Sequence, residues 1–340
     1  MAAAGTIHRP DRLPPPLCVL SDGPISPEQR RRVELTVAAR DADPIPKVAQ
    51  AGAVVERDGV RVQVMHNGVF VVEGGYYGAW MTEIIRRLRG HHEPQEEAAF
   101  HAVVERLRRD EQHPVVVELG SFWAYYALWV QRVLPTAQIV LVEPDPAHLE
   151  VGRRNVALNG ATARFIEAAA GRSHGATVSF PCESDGVVRE RLTVTLDGLL
   201  EGMNVDRLDL VLADVQGAEL DVLAGAERAL TERRVRFVVL STHHHSISGD
   251  PLTHQRCLAA LVGYGAHIVA EHTVSESVSG DGLIVASLDP RDRDLHVPLS
   301  HARAKDTLFG ELEPDLARAW QERDAAREEA AALSARLGTP

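Results

Sequence analysis

From Pro114 to Ser287 the chain alternates short apolar runs with longer stretches of helical periodicity, and that rhythm leaves few folds open. Val115-Val116-Val117-Glu118-Leu119, Ile139-Val140-Leu141-Val142, Leu208 to Ala213 and Val235 to Leu240 are too short for helices. They are also continuously apolar rather than alternating, which marks strands covered on both faces. Arg164-Phe165-Ile166 makes a further strand between them. Tyr125 to Leu134, Pro146 to Asn159, Ala218 to Leu230 and Leu252 to Leu261 read as helices. Strand and helix in alternation build a parallel α/β sheet with helices on both faces. The final strands, His267 to Ala270 and Leu283 to Ser287, are joined by a loop too short for a covering helix, so they are expected to pair antiparallel. A mostly parallel sheet with one antiparallel strand at its end differs from a plain dinucleotide-binding sheet.

The segments outside this rhythm are of other kinds. Residues 1–52 form an arm with Pro14-Pro15-Pro16, Asp43-Pro44-Ile45-Pro46 and one short basic helix around Arg30 to Arg40. Residues 53–110 open with β-rich runs at Val54-Val55, Val60 to Val64 and Val69 to Val72, separated by Asp58-Gly59 and Asn67-Gly68. Those dipeptides suit two-residue hairpin turns, so a three-stranded meander is expected. Helices over Tyr77 to Arg89 and from Pro94 to Arg109 follow, Pro94 standing at a first-turn position. Residues 111–290 hold the sheet, and 291–340 end in an Ala/Glu/Arg-rich helical tail, Glu311 to Leu337. Its Leu316, Trp320, Ala330, Leu333 and Leu337 suggest a dimerising stripe and hence a homo-oligomer; a solvated helix fits the pattern equally.

A net charge of −12 disfavours a general nucleic-acid or anionic-membrane partner, because phosphate binding needs local positive charge. The first residues lack the apolar stretch of a secretory signal, and no apolar run is long enough for a membrane span. Three widely spaced cysteines, Cys18, Cys182 and Cys257, indicate a reducing, cytoplasmic setting without a disulfide framework or zinc motif. A small-molecule partner is left.

Candidate cofactor residues stand at strand ends. Gly120 and Ser121 follow the first strand, where a ligand approaches the next helix N-terminus. Glu143 ends the second strand, where an acid can bond both hydroxyls of a ribose. Ala168, within Glu167-Ala168-Ala169-Ala170-Gly171, offers a small surface for an adenine. Diphosphate binding needs glycines or basic groups at the first turn. Phe122, Trp123 and Ala124 stand there instead, with the acidic Glu118 before Gly120. Bulk and negative charge favour S-adenosylmethionine, which carries an amino group and a sulfonium, over a nicotinamide dinucleotide.

Several motifs then resemble one family. Glu118-Leu119-Gly120-Ser121, Val142-Glu143-Pro144-Asp145-Pro146, Asn155 with Leu158-Asn159-Gly160, Thr195-Leu196-Asp197 and Leu212-Ala213-Asp214-Val215-Gln216-Gly217-Ala218-Glu219-Leu220 look like those of the FkbM-type methyltransferases. The likeness covers roughly residues 92–287. Two positions depart from it: Ala124 stands where the family usually has glycine, and Gln216 where it has glutamate, which weakens any metal-binding role there. The resemblance implies a class I methyltransferase Rossmann-like fold and S-adenosylmethionine-dependent methylation of a hydroxyl, generally on a sugar, polyketide or similar natural product. Gln216 and Asp214 would then border the cofactor, and Glu93 would meet its methionyl ammonium.

Methylating an alcohol requires in-line placement of the hydroxyl and removal of its proton. Asp214 ends the fourth strand and His243-His244-His245 follow the fifth. In an extended chain His243 and His245 point the same way, so one of them is the candidate base, with Asp214 orienting it or binding substrate. The same three residues, Asp214, His243 and His245, would loosely suit magnesium or manganese. Tyr76, Tyr77, Trp80 and Trp123 are candidates for an acceptor pocket. Ser279-Gly280-Asp281-Gly282 reads as a structural turn. Two rival functions remain open: a metal-dependent hydrolase built on the histidines, and a non-catalytic binding protein on the same shell.

Overall fold

The computed structural model describes residues 6–8, 24–302, 321–330 and 332. In chain order the first elements are β1 (Thr6–His8), α1 (Pro27–Ala38), β2 (Val54–Arg57), β3 (Val60–Val64), β4 (Phe70–Val72), α2 (Ala79–Arg87) and α3 (Pro94–Asp110). The alternating part runs β5 (Val115–Leu119), α4 (Tyr125–Val133), β6 (Gln138–Val142), α5 (Pro146–Leu158) and β7 (Ala163–Ile166). Three strands, β8 (Ala169–Ala170), β9 (Thr177–Pro181) and β10 (Val188–Val194), interrupt it before α6 (Leu196–Met203) and β11 (Leu208–Ala213). Next are α7 (Glu219–Ala224), α8 (Glu227–Thr231), β12 (Val235–Thr242), α9 (His245–Ser248), α10 (Thr253–Gly263), β13 (His267–His272) and β14 (Gly282–Ser287).

The central sheet has the order β1-β7-β6-β5-β11-β12-β14-β13. Strands β7, β6, β5, β11 and β12 run parallel; β14 is antiparallel to both its neighbours, and β1 is antiparallel to β7. The antiparallel strand expected at the end of the sheet is therefore second from the edge, inserted between β12 and β13. That insertion brings the turn before β14 beside the end of β12, with consequences for the site. The meander is present as the separate sheet β2-β3-β4. The hairpin β9–β10 was not legible, because its exposed strands carry no apolar run. The helix expected over Ala218 to Leu230 is broken at Gly225, whose added Cβ would lie 2.3 Å from the Gly171 carbonyl oxygen.

Successive residues of each strand feed opposite faces, as pleating demands. Val116, Leu141, Leu210 and Phe237 join an apolar cluster with Met65, Val71, Ile84, Phe100 and Trp129, so the meander and α2–α4 cover one face. Val117, Val140, Val211 and Val238 join Leu199, Leu223, Leu230 and Leu261 on the other. Asn155 ties these layers to the cleft: its Oδ1 accepts from the Val72 amide at 2.8 Å and its Nδ2 donates to the Trp123 carbonyl at 2.8 Å. Asn155→Ala strips one buried and one half-buried backbone group of partners and is expected to cost on the order of 1–2 kcal/mol in chemical denaturation. An unchanged midpoint would show that the bridge contributes nothing.

Of the tail helix expected over 311–337, residues 321–330 are helical, and Asp324 pairs with Arg40 at 3.3 Å. Its proposed stripe residues Leu316, Trp320, Leu333 and Leu337 lie outside the described residues, as do Pro14-Pro15-Pro16 and Cys18. Cys182 and Cys257 are free and buried. Among the described residues no helix is long and apolar enough to cross a membrane.

Candidate active site

The strand order reverses at β5, with β6 on one side and β11 on the other, and a crevice opens at the carboxyl ends of these strands. It is a cavity of about 880 Å³. The β5–α4 turn, Glu143, β8 and the segment Asp214 to Ala218 form its inner wall; Tyr76, Tyr77, Glu93, Phe180 and Glu183 close the outer side.

Glu143 is buried at 4% exposure. Its Oε2 accepts from the Phe122 amide at 2.9 Å and its Oε1 from the Asp145 amide at 2.9 Å. Those bonds fix the carboxylate and leave a lone pair on each oxygen for a diol. Burial outweighs the two amides and pushes its pKa up to about 8. Ribose hydroxyls donating to this group would favour its ionised form, so binding a nucleoside there would lower that pKa and release a proton near neutrality. Nucleoside affinity is thus expected to rise between about pH 6 and 8 and then level off, as calorimetry in buffers of different ionisation enthalpy would reveal. Affinity falling over that range would contradict the assignment.

Glu118 accepts from the Ala127 amide at 3.0 Å, and burial likewise raises its pKa to about 8. Ser121 Oγ is buried without a hydrogen-bond partner on the same wall. A buried orphan hydroxyl beside a fixed carboxylate fits a nucleoside-type ligand, whose polar atoms would satisfy both. Gly120 has a different reason from the one the sequence suggests. Its φ is +74°, and a Cβ there would lie 1.7 Å from the Asp214 carbonyl oxygen, so the constraint is the crossing of two strand ends.

Phe122, Ala124 and Gln216 all hold positive φ, at 32°, 59° and 50°. Non-glycine residues rarely adopt such angles, and strain of this kind gathers at functional sites. Ala124 is the position where the resembled family carries glycine, and its left-handed backbone supplies the physical reason. Gln216 lies on the cavity wall. Ala168 does not: it is packed in the core at 1% exposure, while Ala169 and Ala170 line the cavity. The expected small surface is present one residue further along the chain.

The histidine cluster is also rearranged. The chain turns at His244, which caps α9 and accepts from the Ser246 amide, so the alternation that would align His243 with His245 is lost. His245 is exposed and packs against His244 at 3.9 Å between ring centroids. His245 is thereby removed from both the base and the ligand set. His243 is buried, with Nδ1 2.5 Å from Glu219 Oε1 and Nε2 3.2 Å from Asp214 Oδ1 and 3.7 Å from Asp281 Oδ1. Burial disfavours its charge, but Asp214, Glu219 and Asp281 outweigh burial and hold the imidazole pKa up at about 11. With a carboxylate at each ring nitrogen, the imidazole is favoured in its charged form, an arrangement that suits holding Asp214 better than acting as a free general base. The sequence named Glu219 only within the family motif and Asp281 only within a turn, and gave neither a role. Asp281 in particular looked like ordinary turn chemistry.

Tyr76 stacks on Trp123 at 4.3 Å and 5°, and Phe122 on His148 at 3.5 Å and 8°. Tyr77 donates to Glu183 at 3.2 Å. Tyr76, Tyr77 and Trp123 line the cavity; Trp80 stands behind Tyr77, under Arg32. Glu93, on the wall, accepts from Tyr126 at 3.3 Å and lies 3.3 Å from His92 Nε2. His92 in turn bonds Glu97 at 2.6 Å, and although burial opposes its charge, Glu93 and Glu97 raise its pKa to about 10. Glu97 also bonds His91, stacked on His66, so both carboxylate oxygens are engaged and the group rivets the cap beneath Glu93.

This sheet order, with its crevice at the switch point and inserted antiparallel strand, defines a class I methyltransferase fold. Residues 110–267 match the Methyltransferase FkbM domain. The release factor glutamine methyltransferase of Deinococcus radiodurans is 30% identical over 119 residues, covering 35% of this chain and 41% of that protein. Methyltransferase sdnD of Sordaria araneosa is 27% identical over 173 residues, covering 38% of this chain and 66% of that protein. The chain thus spans less than two thirds of either relative. Among solved structures, the METTL16 methyltransferase domain is 14% identical with a TM-score of 0.41, covering 67% of this chain and 86% of that one.

Proposed function

We propose that this chain is an S-adenosylmethionine-dependent O-methyltransferase acting on a hydroxyl of a sugar-containing or polyketide-like small molecule. The observation that carries the reading is Glu143, a buried carboxylate fixed by two amides and facing a cavity of about 880 Å³ at the switch point of an FkbM-type domain. When bound, S-adenosylmethionine supplies an electrophilic methyl group: the acceptor oxygen forms its bond to the methyl carbon as the carbon–sulfur bond breaks, and that electron pair stays on sulfur. Glu143 holds the ribose, Ser121 and Gln216 satisfy further polar atoms, and Glu93 faces the ammonium. Ala169 and Ala170 make room for the adenine. The aromatic wall of Tyr76, Tyr77 and Phe122 suits the apolar faces of a sugar or polyketide ring. The hydroxyl proton passes to Asp214, which lies on the cavity wall and is held in place by His243.

The proposed setting is cytoplasmic, which the free, buried thiols of Cys182 and Cys257 support. Incubation with methyl-labelled S-adenosylmethionine and a panel of glycosides and polyketides tests the activity. Label in an ether product supports it; label only in amines or carboxylates refutes the oxygen assignment.

A further inference from the structure

We propose that Glu219 is a positioning residue for the methyl transfer: through one carboxylate oxygen it holds both the imidazole of His243 and the wall segment that carries Asp214 and Gln216. The inference rests on the proposed O-methylation for its purpose, while the two bonds that Glu219 makes stand independently of it.

Glu219 is buried at 0% exposure in the first turn of α7. Its Oε1 accepts from the Gly217 amide at 2.8 Å and lies 2.5 Å from His243 Nδ1. Its Oε2 is buried with no hydrogen-bond partner. A carboxylate taken out of water is costly, and more so with one oxygen unsatisfied, so an apolar side chain would serve packing alone better. What the carboxylate supplies is a link. Gln216 and Gly217 both hold left-handed backbone, at φ 50° and 99°, in the turn that leaves β11, and the bond to the Gly217 amide fixes that turn. Asp214 and Gln216 reach the cavity wall from the same segment. The contact with Nδ1 sets the His243 ring so that Nε2 faces Asp214 Oδ1 at 3.2 Å and Asp281 Oδ1 at 3.7 Å. One oxygen on α7 thus ties the end of β11 to the end of β12.

Charge acts beside geometry. The groups that face His243 are Asp214 from β11, Glu219 from α7, Asp281 from the turn before β14 and, further off, Glu183 from the β9–β10 hairpin. All four are carboxylates, which favour the charged imidazole, and a charged ring holds Asp214 more firmly than a neutral one. That hold is complete while the ring keeps its proton and is lost as pH rises through the ring's pKa. Removing the charge of Glu219 lowers this pKa and so brings the loss toward neutral pH.

Nitrogen-15 NMR of the histidine-labelled full chain tests the link, with His243 assigned by the loss of its signals in His243→Gln and S-adenosylhomocysteine calorimetry run in parallel. In the wild type the His243 ring is expected to keep its proton well above about pH 8, and a ring that titrates near the ordinary histidine value of about 6.5 overturns the proposal. Glu219→Gln keeps an oxygen for the Gly217 amide but removes the charge. Its His243 ring should lose the proton at a pH lower by about 1 or more, while nucleoside affinity stays near that of the wild type and reports that the variant has folded. With an acceptor found in the panel above, kcat should fall by roughly 10- to 100-fold, the effect of losing a charged hydrogen-bond partner, and the alkaline limb of the pH profile should move toward neutrality. An unchanged ring titration in Glu219→Gln, or wild-type kcat with an unmoved alkaline limb, overturns the proposal. Absence of nucleoside binding by the wild type would instead remove the methyltransferase reading, and the ring titration would still decide whether Glu219 holds His243.

Discussion

Asp214→Asn is expected to lower turnover by roughly 10²–10⁴-fold, the range for losing a group that accepts a proton in the transition state. The substitution keeps size and shape while removing the charge. Its effect should fall on kcat, because in the proposed mechanism Asp214 acts on the acceptor proton while Glu143 holds the ribose. Affinity for S-adenosylhomocysteine is therefore expected to stay near that of the wild type. The variant also leaves the His243 imidazolium short of one carboxylate, although Glu219 and Asp281 remain beside it. Wild-type turnover in Asp214→Asn would mean that the proton leaves by another route.

Glu143→Ala is the second large effect. It removes the proposed acceptor of two ribose hydroxyls, and hydrogen bonds to a charged group are worth about 1.5–3 kcal/mol, so the dissociation constant for S-adenosylhomocysteine should rise by roughly 10- to 100-fold. The same carboxylate also satisfies the Phe122 and Asp145 amides, so part of the loss will come from a looser β5–α4 turn. Glu143→Gln separates the two contributions: the amide oxygen can still accept one of these bonds, while the charge is gone. Affinity restored by glutamine would make turn geometry, rather than charge, the source of binding.

The parts of this site that the sequence made legible are those encoded next to a strand. Gly120 and Glu143 follow continuous apolar runs, and the strand end alone places them at the crevice. The parts it hid depend on parity or on distant pairing. Ala168 and Ala169 differ by one residue, and β8 begins at Ala169, so a short-range reading had no means of choosing which faces the ligand. His245 was lost because His244 starts a helical turn after β12, which ends the extended alternation. Asp281 reaches His243 only through the position of β14 in the sheet, a long-range choice that no local pattern announces. The hairpin β9–β10, which brings Phe180 and Glu183 to the outer wall, has strands too polar to read as sheet. Ala124 is intermediate: its departure from glycine was visible, but the left-handed angle of 59° that gives the departure meaning was not.

The most direct test is a crystal structure of the chain with S-adenosylhomocysteine. The account predicts the ribose hydroxyls within hydrogen-bond distance of both Glu143 oxygens, the adenine against Ala169 and Ala170, and the sulfur facing Asp214. A nucleoside bound elsewhere, or a crevice that stays empty at saturating ligand, would contradict it.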